Sequence, residues 1–117
     1  METRPIVTLD GFVDITETVD GVDVHHLQPL TRVFVRTCNS DYRLIVSSDG
    51  GVLVQGGRFF EQPTEAVLEG ATLNGGLLKV GWIAIGMRME IRDESRRIVT
   101  SPVRQITTDD GCSRGVH

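Results

Sequence analysis

Short apolar runs rich in Val and Ile recur along this chain, separated by Gly, Asp, Asn and Ser, and no long stretch has helical period. That pattern predicts an all-β domain of short strands joined by tight turns. The clearest alternation is "TRVFVRT" at 31–37. Val33 and Val35 fall on one face, and Arg32, Phe34 and Arg36 on the other. After a loop at "CNSD" comes "YRLIVS" at 42–47, with Tyr42, Leu44 and Val46 on one face. "SDGG" at 48–51 then reads as a hairpin turn, and "VLVQ" at 52–55 as the returning strand.

A second legible region starts at Trp82. Ile83, Ile85, Met87, Met89 and Ile91 occupy every second position. The local composition of "MRMEIRDESRR" favours helix. A helix would scatter those five side chains around its circumference, whereas a strand lines them up, so the pattern predicts one long strand over 82–91. Gly81 and Gly86 would let it bend around a barrel. "DES" turns the chain, and "RIVTSPVRQI" pairs back. Pro102 within that last run predicts an edge position or a bulge.

The remaining segments are read from turn signals. Strands are expected at 5–9, 12–19 and 22–27, joined at Asp10 and Gly11 and at Asp20 and Gly21 as a meander. The stretch 61–81 is the least regular. It is read as a strand, with a helical turn capped by Thr64 and stopped at Gly70 as the alternative, and with a further turn at "NGG", 74–76. The expected architecture is a single domain over 1–106 with seven to nine short, mostly antiparallel strands. It would be a small barrel or a two-sheet sandwich, followed by a polar tail at 107–117.

Composition narrows the function. At 117 residues, 39% hydrophobic and 24% charged, the chain suits one compact domain. Twelve Lys and Arg against 16 Asp and Glu give a net charge of −4, which argues against phosphate-backbone binding as the main task. Cys38 and Cys112 form no CxxC motif, so neither a zinc site nor a redox pair is indicated. The start lacks a signal-peptide pattern, and no apolar run reaches membrane-spanning length. The expected setting is the cytoplasm with reduced thiols and no membrane association.

Candidate chemistry is sparse. His25 and His26 are adjacent, and in a strand they would face opposite ways, unable to hold one metal together. Cys38 precedes Asn39, Ser40 and Asp41, without a recognised nucleophile motif. The carboxylates Asp93 and Glu94, Glu61 and Glu65, and Asp109 and Asp110 lie in expected turns or the tail. The glycine pairs match no phosphate-binding loop. No catalytic residue, metal or cofactor is therefore expected.

Two interaction candidates remain. The first is the corner "GGRFF" at 56–60, with Arg58, Phe59 and Phe60, in which one Phe should enter the core and the other cover a strand end or meet a partner. The second is an arginine face of Arg32, Arg36, Arg88 and Arg92 that could take nucleic acid on an OB- or SH3-like barrel, although exposed aromatics are few. A small-molecule cavity lined from the 83–91 strand, or an enzyme built on it, ranks third. The leading expectation is a non-enzymatic interaction or assembly module with a protein partner or self-association, using an edge strand at Pro102.

Overall fold

β-Branched runs on either side of short polar loops pair antiparallel throughout. The computed structural model describes residues 2–7, 13–47, 51–73 and 76–109. The strands are β1 (Glu2–Val7), β2 (Val13–Val19), β3 (Gly21–Asp23), β4 (Arg32–Thr37), β5 (Asp41–Val46), β6 (Val52–Gly56), β7 (Phe60–Leu73), β8 (Leu77–Val80), β9 (Trp82–Ala84), β10 (Arg88–Arg92) and β11 (Arg97–Asp109). The all-β expectation holds, and of the two architectures the chain adopts the barrel. Strands β4–β5–β6–β7–β10–β11 form a six-stranded antiparallel barrel, closed where β11 returns onto β4.

The closing strand has three partners. Along one edge its first half pairs with β10, from Arg97 opposite Arg92 to Pro102 opposite Arg88. Its second half pairs with β2, from Ile106 opposite Val19 to Asp109 opposite Thr16. The other edge pairs with β4 from Val103 to Asp109. The β1–β2 hairpin thus continues the sheet beyond the barrel wall. β8 pairs with β7 alone, and β3 with β9 makes a separate two-stranded sheet.

Alternation places the core. Val33 and Val35, Leu44 and Val46, Val52 and Val54, Leu68, Met89 and Ile91, and Val103 and Ile106 all point inward and are buried. Val24 and Ile83 join the same core from the segments around β3 and β9.

Several expectations are corrected. The alternation over 83–91 is not one strand: β9 ends at Ala84 and β10 begins at Arg88. Gly86 adopts a φ of +86° between them, Met87 N donates to Ala84 O at 3.1 Å, and Ile85 turns out to solvent. Ile83, Met89 and Ile91 stay buried because each half keeps its own in–out parity.

Pro102 marks a bulge and not an edge. The β10–β11 register slips between Arg88 and Glu90, and the Pro102 carbonyl accepts from Cys38 N at 3.0 Å. A proline contributes no N–H, and a bulge is where a paired strand tolerates that loss. The strand expected over 22–27 ends at Asp23. That carboxylate accepts from His25 N at 3.0 Å and caps a single 3-10 turn, Val24–His26. Residues 60–73 are extended throughout, so the helical alternative fails. Thr64 caps no helix; its hydroxyl donates to Gln62 O at 2.8 Å. Residues 107–109, assigned above to a polar tail, belong to β11. The turns expected at Asp10 and Gly11, at 48–50 and at Asn74 and Gly75 lie outside the described residues, as do Cys112 and the rest of 110–117.

Candidate functional site

The corner at 56–60 joins β6 to β7. A Cβ on Gly56 would lie 2.2 Å from Asp41 O, and one on Gly57 would lie 2.6 Å from the Tyr42 hydroxyl. Both glycines have positive φ, so the turn closes tightly over Tyr42. Burial pushes the Tyr42 phenol pKa up, against a smaller opposing effect of its hydrogen bond with Ser40. Beyond the glycines the two Phe side chains separate as a strand entry requires. Phe60 is fully buried, Phe59 is 43% exposed, and Arg58 faces solvent.

Arg96, from the β10–β11 turn, holds this corner. Its Nη2 donates to Phe59 O at 2.7 Å, and its guanidinium lies 5.5 Å from the Phe59 ring centre and 5.8 Å from that of Phe60. Asp93 orients the turn by accepting from Ser95 N and Arg96 N. Its carboxyl pKa is lowered first by the Ser95 backbone N–H and further by the Arg96 backbone and side chain. Arg58, Phe59 and Phe60 are therefore adjacent, but only the first two reach solvent.

The four arginines of the alternative face are not brought together. Arg92, Arg88, Arg36 and Arg32 lie beside β11 residues running from Arg97 to Asp109, a span of about 40 Å in extended chain. Each already has a partner. Arg32 Nη2 is 2.5 Å from the buried Asp109 carboxylate, Arg36 Nε donates to Asp41 Oδ1 at 3.1 Å, and Arg92 Nε donates to Glu69 Oε2 at 2.6 Å. Arg88 Nη1 donates to Thr100 O at 3.2 Å.

Two surfaces stand out that sequence reasoning did not single out. The first is the β7–β8 hairpin. All four residues of β8 are exposed, Leu77 at 77% and Val80 at 66%, with Leu78 between them and exposed Leu73 opposite Leu77. The ladder continues past β8, where Gly81 N donates to Glu69 O at 3.0 Å. Backbone groups of alternate residues point to opposite edges. The N–H and C=O of Leu78 and Val80 therefore face away from β7, along an edge with no strand on it among the described residues. Lys79 is the hairpin's one charge among the described residues 70–73 and 76–81, and its ammonium sits 3.8 Å from the Trp82 ring centre. The signal was present as an apolar "LLKV" between glycines, inside the segment read as least regular.

The second surface is the barrel's outer face over β11, β4, β5 and β6. Register sets Phe34 between Thr107 and Arg43, and Arg43 opposite Gln55. The next row sets Arg36 between Gln105 and Asp41. These side chains line an open groove of about 570 Å³. Arg43 Nη2 donates to Gln55 Oε1 at 2.9 Å, and Phe34 is 38% exposed at the centre. The alternation of 31–37 already placed Phe34 with Arg32 and Arg36; what it lacked was the identity of the neighbouring strands.

Other candidates are placed as follows. Asp23 Oδ2 lies 2.8 Å from His26 Nδ1, and the described residues bring together no group of three or more His, Cys, Asp or Glu side chains able to hold a metal. Cys38 is a free, exposed thiol beside a hydroxyl cluster in which Ser101 Oγ donates to Thr37 Oγ1 at 2.8 Å. No helix among the described residues is long and apolar enough to cross a membrane. Comparison with family models, with curated proteins and with solved structures finds no match to this chain.

Proposed function

We propose that this protein is a non-enzymatic assembly module that joins a second copy of itself by antiparallel pairing of β8 edges. The observation that carries this reading is a strand edge, open among the described residues, with exposed Leu78 and Val80 on one face and exposed Leu77 beside Lys79 on the other. Edge strands are normally protected by a charged side chain, especially Lys, that would be stranded on pairing. Here the one such residue, Lys79, is folded onto Trp82 and leaves the edge unguarded. A second copy is favoured because a twofold axis lets Leu78 of one molecule meet Val80 of the other, so that each satisfies the other's outward N–H and C=O. In that register Lys79 lies opposite its own copy at the twofold axis, a like-charge pair that each ammonium's contact with Trp82 relieves; residues 70–73 and 76–78 bring no further charge to the approach.

Four residues a side fall short of the ~1,200 Å² or more buried by stable interfaces, so association should be in the micromolar range and reversible. We place this module in the cytoplasm, where the exposed Cys38 thiol would stay reduced. Light scattering coupled to size separation tests the reading. The mass should exceed 12.9 kDa at high micromolar concentration and return to that value in the Leu78→Lys, Val80→Lys double variant with its β-sheet circular dichroism unchanged. A wild type that stays monomeric at those concentrations overturns it.

A further inference from the structure

We infer that the outer-face groove around Phe34 binds a nucleotide unit, with the base stacked on the Phe34 ring and the phosphate held by Arg36 and Arg43. The groove combines three chemistries at neighbouring register positions. Phe34 offers an exposed aromatic face at the centre of the groove. Arg36 and Arg43 flank it on β4 and β5, and each engages its neighbour through one nitrogen, Nε to Asp41 and Nη2 to Gln55. The guanidinium fork has further N–H donors for phosphate oxygens. Gln105 supplies an amide that both donates and accepts, and Thr107 a hydroxyl, the groups that read a base edge, while Gln55, which accepts from Arg43 and donates to Glu61 O at 3.3 Å, holds Arg43 in place.

The same features set the size of the ligand. Two arginines and Asp41 leave the groove at net +1, on a chain of net −4. One aromatic platform stacks one base, and a long polyanion would meet the unfavourable field of the whole molecule. A free nucleotide and one unit of a single strand present the same base and phosphate, and a duplex, with its bases stacked, presents neither face to Phe34. With about two phosphate contacts, the slope of log affinity against log salt for a single strand should be shallow, near −1.4.

The test is calorimetric titration of the full chain at low salt with thymidine monophosphate, a short oligothymidylate, the same sequence as duplex, and inorganic phosphate. The monophosphate, the single strand or both should bind, and which of them does identifies the source of the ligand. Phe34→Ala should weaken binding about tenfold, within the range for loss of one stacked base. Phe34→Tyr should retain it, and Arg43→Gln should weaken it and flatten the salt dependence. Phe34 lies on the solvent face, so these variants should keep the wild-type melting temperature within a few degrees. The inference is overturned if neither nucleotide binds, if Phe34→Ala binds as the wild type does, or if inorganic phosphate binds as well as the nucleotide.

Discussion

At the scale of single residues, two glycines with positive φ separate two causes of strain. Gly56 and Gly86 both adopt backbone angles that side chains disfavour. A Cβ on Gly56 would also press against the Asp41 carbonyl and the Tyr42 Cα, whereas one on Gly86 would meet nothing within 4 Å. Gly86→Ala should therefore cost only the conformational term, about 1 kcal/mol. Gly56→Ala adds a backbone collision at the barrel rim and should cost about 3 kcal/mol or more. Denaturant unfolding of the two variants should show that order, and equal midpoints would contradict it. The same geometry settles the paired phenylalanines: after the bend at Gly56 and Gly57, ordinary alternation buries Phe60 and leaves Phe59 under Arg96.

Among elements, β11 carries the most pairing, and its last residues matter more than their polarity implies. Thr107, Thr108 and Asp109 pair with β2 on one side and β4 on the other, and Asp109 binds Arg32. A chain ended at Ile106 should lose these ladders and anchor the β1–β2 hairpin by one residue pair alone. Its melting temperature should fall by several degrees, and amide exchange should rise first in β2 and β4. Polar composition reads as a tail in sequence because strand residues with a polar outer face and a partner on each edge look like loop residues when the partners are unknown.

Similar reasons govern what else could be read along the chain. β4, β5 and β6 are legible because each alternates cleanly and its neighbours follow in sequence across short turns. The break at Gly86 is hidden because odd-numbered residues point inward on both sides of it, at Ile83 and at Met89 and Ile91, while Ile85 and Met87 within the turn are apolar as well. The open edge at β8 and the Phe34 groove depend on which strands become neighbours. That is long-range information, carried by pairings such as Phe34 with Thr107 that no local pattern contains.

For the whole molecule, Tyr42 links pH to stability. Its phenol is buried beneath the Gly56 and Gly57 corner, and burial raises its pKa above the ordinary value near 10. A group with a raised folded pKa stabilises the fold fully below its unfolded pKa, and that contribution is lost as pH rises through the folded value. Stability should therefore decline above about pH 10. Tyr42→Phe should remove that part of the decline, which thermal melts across the alkaline range would show. An unchanged alkaline profile in Tyr42→Phe would assign the loss to other groups.

The position of β11 also bears on how the protein is made. Barrel closure requires the pairing of β11 with β4, strands separated by some sixty to eighty positions in the chain. A nascent chain that has emerged only as far as β10 would hold β4, β5, β6, β7 and β10 as an open curved sheet, with unpaired edges at β4 and β10. Through that interval of synthesis its inward-facing Val and Leu side chains are uncovered, and the β8 edge is already available. Crowding of nascent chains on one message would then favour pairing between molecules before closure within one. Wider ribosome spacing and chaperones that cover the open sheet should consequently raise the yield of folded protein.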